Sequence, residues 1–354
     1  MTATDGPGTT SAPTSAGDPP GVDLTALAAH LRTARPDLAT GPLTATLVAG
    51  GRSNLTYRVS DGRTAFVLRR PPLGHVLATA HDMAREHRVI SALADGPVPV
   101  PQPLLLCTDE SVVGAPFYLM ELVDGVVLRD ADDLVGLDAE GRTALGERLV
   151  DVLADLHGLD VRATGLADLG RPEGYLERQV RRWGRQLDAS RSRDVAGIDV
   201  LREGLAAAVP ASGAATVLHG DYRLDNVIVD RADPRRIAAV LDWEMATLGD
   251  PLADLGLLVV YRTRPAAAGD PVSDAMTAPG FPSAGELVAR YAERTGADVS
   301  ALGWYVAFGA FKLAVILEGI HVRFVKGQTV GAGFDRIGDL VEPLVASGLA
   351  ALRG

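Results

Sequence analysis

Val217-Leu218-His219-Gly220-Asp221-Tyr222-Arg223-Leu224-Asp225-Asn226 runs without a break into Val227-Ile228-Val229, and Val240-Leu241-Asp242-Trp243 follows shortly after. Two apolar runs, 227–229 and 239–241, flank the polar segment 230–236. This pattern predicts an antiparallel hairpin centred near Pro234, in which facing residue numbers sum to about 468. In that register Asn226 faces Asp242 at the open end. An amide oxygen and a carboxylate are hard donors of the kind that Mg²⁺ takes. Asp221 stands a short loop away, and a carboxylate beside a metal pair is what a hydroxyl needs for alignment and proton removal. Taken singly, Asp221 reads as a turn residue, Asn226 as a strand-start cap and Asp242 as a helix cap. Taken together, they point to a site for metal and phosphate.

Outward from this segment the chain changes character twice. From Asp124-Gly125 onward helical spacing dominates, with Leu145, Leu149, Val152, Leu153 and Leu156 on one stripe. Further helices are predicted over 175–187, after Asp199, and through most of the chain from Leu252. Before residue 123 short alternating segments prevail. A helix from Asp23 puts Leu24, Leu27, Ala28 and Leu31 on one face. Strands are predicted over 43–48, 55–59 and 65–68, with Asp61-Gly62 as a hairpin turn and Pro71-Pro72 as a stop. Helical spacing returns over 79–93, and Val112-Val113 with 117–123 reads as another strand pair. The class is α+β. Residues 1–20, mostly Gly, Pro, Ser, Thr and Ala, predict a disordered tail, which leaves units of 21–123 and 124–354.

Composition narrows the function. A net charge of -11 argues against nucleic acid or an anionic membrane as partner. The single cysteine, Cys107, rules out a disulfide within the chain and suits a reducing compartment; its setting in Leu104-Leu105-Leu106-Cys107 predicts burial. No uninterrupted apolar stretch reads as a bilayer span and the N-terminus lacks signal-peptide features, so a cytoplasmic location is expected. Basic residues are almost all arginine, with lysine only at 312 and 326. The cations between Phe311 and Lys326 read as a solvated helix face, with an anionic acceptor as the alternative.

On the residues quoted, the chain resembles the aminoglycoside phosphotransferase and choline kinase group, relatives of the protein kinases. His219-Gly220-Asp221 with Asn226 is similar to that group's catalytic loop, and Leu241-Asp242-Trp243-Glu244 to its metal-binding segment. Gly249-Asp250-Pro251 with Asp254 resembles the stretch that follows. The likeness runs from about residue 43 to 258. It implies a two-lobed protein-kinase-like fold, with an N-lobe of antiparallel sheet plus helix. The C-lobe would be mainly helical, with the small hairpin carrying the catalytic site. It implies ATP or GTP with Mg²⁺, Asp221 as base or hydroxyl positioner, and Asn226 and Asp242 as metal ligands. Arg223 falls near the transferred phosphate, and His219 braces the loop.

The same resemblance assigns a nucleotide grip. Gly50-Gly51-Arg52-Ser53-Asn54 would cover the phosphates, bringing in Ser53 and Asn54. Arg69 stands where kinases carry a phosphate-contacting lysine, with Glu86 as its partner; arginine here is a departure from the pattern. The Glu121 carbonyl and the Val123 N–H would pair with the purine edge. Phe66-Val67-Leu68-Arg69-Arg70-Pro71-Pro72 and the segment 241–251 resemble one branch in particular, the kinase domains fused to acyl-CoA dehydrogenases. That branch implies a small-molecule hydroxyl acceptor such as a hydroxyacyl thioester. An aminoglycoside acceptor would want carboxylates around it, for which Glu318, Asp250 and Asp254 are candidates. A pseudo-kinase regulator and a metal-dependent hydrolase are the remaining alternatives.

Overall fold

A computed structural model describes residues 18–48, 54–73, 81–265, 272–328 and 334–354 of the chain. Positions 1–17 of the predicted tail and the Gly50–Ser53 turn, Ser53 included, lie outside the described residues. The chain divides into two units, one of residues 1–84 and 104–122 and the other of 85–103 and 123–354.

In the first unit, helix α1 (Leu24–Ala34) starts where Asp23 accepts the Ala26 N–H at 2.8 Å, and it buries Leu27 and Leu31 completely. It packs on a five-stranded antiparallel sheet of β1 (Thr44–Leu47), β2 (Leu55–Ser60), β3 (Ala65–Arg70), β4 (Pro103–Cys107) and β5 (Phe117–Glu121). The strand order is β1-β2-β3-β5-β4. The β2–β3 turn is built by Asp61, whose Oδ1 accepts the N–H groups of Arg63 and Thr64 at 2.9 and 2.7 Å while Gly62 takes a φ of +88°. Leu27, Leu31, Tyr57, Phe66, Leu68, Phe117 and Leu119 form the core of this unit, with Cys107 buried beside them.

One strand was placed wrongly by the sequence reading. Val112-Val113 belongs to a one-turn helix, α3 (Glu110–Val113), and the strand lies earlier, at β4. Asp109 accepts the Ser111 N–H at 2.9 Å and Gly114 ends the turn at a φ of +82°, so local capping overrides the β-branched pair. Helix α2 (Met83–Leu93) occupies most of the predicted 79–93; residues 79 and 80 are outside the described residues.

The second unit is helical around a small β patch. Arg85 donates to the carbonyls of Leu169 and Ala246 at 2.5 and 2.8 Å, and Val240 N–H donates to Pro99 O at 2.8 Å, tying 85–103 to this unit. Helix α4 (Ala139–His157) buries the whole predicted stripe from Leu145 to Leu156. It is followed by α5 (Tyr175–Ser190) and α6 (Ile198–Ala207). The patch pairs β6 (Thr216–Leu218) with β9 (Thr247–Gly249), and β7 (Val227–Val229) with β8 (Ile237–Val240). Then come α7 (Leu252–Thr263), α8 (Ala284–Thr295), α9 (Leu302–Val325) and α10 (Val341–Arg353).

Helix α9 is the axis of this unit and packs on α5, α6, α7 and α10. Although no bilayer span is expected from the sequence, α9 is long and apolar enough to cross a membrane by length and composition; 72% of its most apolar stretch is buried against the rest of the chain. Trp304, Tyr305 and Phe311 are core residues. The α7–α9 crossing is close because both helices put glycine there. A Cβ on Gly256 would stand 2.5 Å from the Tyr305 carbonyl carbon, and one on Gly309 would stand 3.1 Å from Leu257 Cα. Backbone has no rotamer by which to yield. Gly256→Ala is therefore expected to cost about 1–3 kcal/mol. Denaturant unfolding measures this, and an unchanged midpoint would contradict the close-packing argument.

Candidate active site

The loop from His219 to Asn226 is held from outside itself. Asp254, in the first turn of α7 and 2% exposed, accepts the N–H groups of His219 and Gly220 at 2.7 and 2.9 Å. Gly220 takes a φ of +85°, and a Cβ there would stand 2.6 Å from the Met245 carbonyl oxygen, so the position requires glycine. Burial pushes the Asp254 carboxyl up, but His157 and the main-chain donors outweigh it and hold it below the usual carboxylate range.

His219 links the loop to the strand end that precedes Asp242. Its Nδ1 lies 3.2 Å from the Asp221 amide nitrogen and its Nε2 lies 2.8 Å from the Leu241 carbonyl oxygen. The amide can only donate and the carbonyl only accept, so the hydrogen resides on Nε2. The ring is fully buried, with Trp243 at 4.7 Å and Tyr222 at 5.8 Å between centroids. Both nitrogens are occupied in bracing.

The side chain of Asp221 is about a quarter exposed, at 25%. Asn226 Nδ2 donates to its main-chain oxygen at 2.8 Å and to its Oδ2 at 3.1 Å. Arg223 Nε donates to the same Oδ2 at 3.2 Å, while Tyr261 donates its hydroxyl to Oδ1 at 2.9 Å. Burial raises the Asp221 carboxyl, but the charges of Arg223 and Lys312 and the Tyr261 hydrogen bond reverse the effect, holding it below the ordinary carboxylate range. It stays ionised. Arg223 also reaches Asp225 at 2.9 Å and lies over the Tyr261 ring at 5.0 Å from the centroid.

The hairpin register differs from the predicted one. Val227 faces Val240 and Ile228 faces Ala239, and a bulge after Ile228 sets Val229 opposite Ile237. Leu241 N–H donates to Asn226 O at 2.8 Å, so Leu241 rather than Asp242 faces Asn226. A slip of one residue would turn Asp242 to the wrong face of a regular strand. The strand stops there instead. Asp242 takes a φ of 65° and a ψ of 63°, the one non-glycine residue with positive φ among the described residues. Its charge is among those that raise Arg223, which places it within electrostatic range of that guanidinium.

The Asn226 amide is oriented by chemistry, since its Nδ2 meets two acceptors of Asp221, and Oδ1 is turned away as a hard donor. Among the described residues no group of three or more His, Cys, Asp or Glu side chains is placed to enclose a metal. The amide oxygen of Asn226 and the carboxylate of Asp242 are hard donors of the kind that could hold Mg²⁺.

Three residues of this site were not singled out from sequence, or were misread. Lys312, read as part of a solvated face, is 8% exposed; its ammonium donates to the Gly220 carbonyl and lies 5.6 Å from the Trp183 ring centroid. Burial lowers its pKa, against the opposing charges of Asp221 and Asp254. Its position as the one charged residue in the apolar run 302–317 of α9 was the available signal. Tyr261 and Asp225 carried none. The carboxylates offered for a cationic acceptor are spent internally. Asp250 accepts from Tyr305 at 2.9 Å and from Leu252 N–H at 3.0 Å, Asp254 holds the loop, and Glu318 accepts from Arg193 Nη2 at 2.8 Å.

The residues assigned to nucleotide binding are less informative. Asn54 is buried in the first unit with its Oδ1 2.7 Å from His81 Nδ1. Arg69 is 9% exposed near the end of β3, opposite Tyr118 of β5. Glu86 is 1% exposed in the first turn of α2. Glu121 is the exposed last residue of β5, and Val123 follows two residues later.

Similarity to known proteins agrees with this arrangement. Residues 44–296 match the model of the phosphotransferase enzyme family. Acyl-CoA dehydrogenase family member 10 of Mus musculus is 36% identical over 310 residues, which are 86% of this chain but 29% of that protein. The chain spans well under half the length of the curated relatives it matches, family member 11 of Rattus norvegicus among them at 40%. The crystal structure of a candidate aminoglycoside phosphotransferase of Ralstonia eutropha superposes with a TM-score of 0.80 at 35% identity, over 94% of this chain and 98% of that one. An aminoglycoside phosphotransferase solved as a ternary complex with ADP and hygromycin B shares the fold, with a TM-score of 0.57 at 16% identity over 88% of this chain and 93% of that one. With a loop braced from three sides and a matching family pattern over most of its length, the chain belongs to the phosphotransferase enzyme family, whose fold is kinase-like.

Proposed function

We propose that the chain transfers the terminal phosphate of ATP or GTP to a hydroxyl of a small molecule, with Mg²⁺. The observation that carries this reading is Asp221, an ionised and partly exposed carboxylate whose loop is clamped by His219, Asn226 and Asp254. Asn226 and Asp242 would hold Mg²⁺, which when bound neutralises charge on phosphate oxygens. Arg223 carries forked donors suited to the phosphate that is transferred. A carboxylate with a lowered pKa is a weak base. Asp221 therefore serves chiefly to orient the hydroxyl, and takes its proton late, as suits a loose phosphoryl-transfer transition state. The nucleotide contacts assigned by resemblance to Ser53, Asn54, Arg69, Glu86, Glu121 and Val123 are part of the same proposal.

For the acceptor we favour a hydroxyacyl thioester. The support is the identity of 36% to proteins named as acyl-CoA dehydrogenase family members. An aminoglycoside acceptor is disfavoured by the internal commitment of Asp250, Asp254 and Glu318, which leaves none of these carboxylates for a polyamine. The combination of Asp221, Asn226 and Asp242 disfavours a pseudo-kinase.

Nucleotide should raise the thermal midpoint only in the presence of Mg²⁺, and Asn226→Ala or Asp242→Ala should weaken that dependence. A shift indifferent to Mg²⁺ would sink the metal assignment. Asp221→Ala is expected to retain nucleotide binding while turnover of MgATP or MgGTP falls roughly 10²–10⁴-fold; normal turnover in this variant would remove Asp221 from the mechanism. Because the folded pKa of Asp221 is lowered, it is ionised above the ordinary carboxylate range and is lost to protonation only as pH falls through its lowered value. The rate should therefore show no titration of Asp221 between about pH 5 and 8. An acid limb in that interval, absent from Asp221→Asn, would contradict the assignment.

A further inference from the structure

Tyr261 touches the reacting carboxylate but has no part in the reaction described above. It lies near the end of α7, 5% exposed, and donates its hydroxyl to Asp221 Oδ1 at 2.9 Å. The other oxygen, Oδ2, is already shared by Asn226 and Arg223 at 3.1 and 3.2 Å. The donors are thus divided two and one, and Oδ1 is the less crowded oxygen for an incoming hydroxyl. Tyr261 sets a hydroxyl of its own there. Arg223 lies over the same ring at 5.0 Å, so the phenol is held both at its face and at its oxygen. A phenylalanine would fill this space without needing a partner for a buried oxygen. The oxygen is present, and its partner is the one carboxylate assigned to the acceptor.

We propose that Tyr261 is an acceptor-discriminating residue: its hydroxyl occupies the position on Asp221 Oδ1 that the acceptor hydroxyl takes, and so keeps water from that position. The inference rests on the phosphotransfer reading. Water offers a single hydrogen bond in exchange for the one it breaks. An organic acceptor brings further contacts that offset the loss of the tyrosine bond. In the productive step the acceptor O–H donates to Oδ1 as its oxygen forms a bond to the terminal phosphorus. The bond from that phosphorus to the nucleoside diphosphate oxygen breaks, the hydroxyl proton passes to Asp221, and Tyr261 keeps its own proton. With water in place of the acceptor, the same exchange yields inorganic phosphate.

The test is hydrolysis of MgATP and MgGTP without any acceptor, using the full chain. Tyr261→Phe is expected to hydrolyse nucleotide about tenfold faster than wild type, the effect of removing one competing hydrogen bond to a charged group. Nucleotide affinity by calorimetric titration should be unchanged. Adding Asp221→Asn should abolish the gain. If Tyr261→Phe does not fold, Tyr261→Leu replaces it, with the same rise expected. Hydrolysis at or below the wild-type rate in a folded variant that still binds nucleotide overturns the proposal, and so does the absence of detectable hydrolysis in both. Failure of the phosphotransfer reading looks different: wild type then binds no nucleotide, or Asp221→Asn hydrolyses it as fast as wild type.

Discussion

The carboxylate of Asp254 accepts the amide hydrogens of both His219 and Gly220 from the first turn of a helix that starts more than thirty residues later in the chain. Those two amides lie at the head of the loop that presents Asp221. A buried, ionised carboxylate is costly unless its oxygens are fully used, and here main-chain donors and His157 use them. The same contact fixes α7, and with it Tyr261 at the far end of that helix. The loop carbonyl of Gly220 is held from α9 by Lys312. The loop has little freedom left.

That arrangement explains why the loop is built from His, Gly and Asp. Gly220 is required because a side chain would collide with the Met245 carbonyl, and its positive φ turns Asp221 toward Asn226. His219 is required because one ring must accept from Asp221 and donate to Leu241 at once. The imidazole therefore couples the loop of residues 219–226 to the strand end that carries Asp242. Pre-organisation of this kind lowers the reorganisation needed when charge develops at a transferring phosphate.

The elements and the site were legible to different degrees. The long stripe of α4, the Asp23 cap and the Asp61-Gly62 turn were readable because each depends on neighbours within a few residues. Val112-Val113 misled because the pair favours a strand by type while Asp109 and Gly114 close it into a helical turn. The hairpin strands were found, but their register was off by one at Asn226: the turn closes between Asp230 and Arg236, centred near Asp233 rather than Pro234, and the bulge after Ile228 offsets only part of that difference. Asp242 ends the strand in a left-handed backbone conformation, which an aspartate tolerates better than most residues and which the hydrophobic pattern does not announce.

By itself the sequence determined that Asp221, Asn226 and Asp242 belong to one small β patch, because they sit within about two turns' length of it and chain connectivity allows little else. It also carried the family pattern of the loop. Only the tertiary structure decided what surrounds Asp221. Tyr261 reaches Asp221 from α7, while Asp254 and Lys312 reach the residues just before it from α7 and α9, and no local pattern in those helices names the loop as their partner. Such contacts arise from how α7 and α9 cross at Gly256 and Gly309, and a close backbone crossing has no local signature beyond the small residues that permit it.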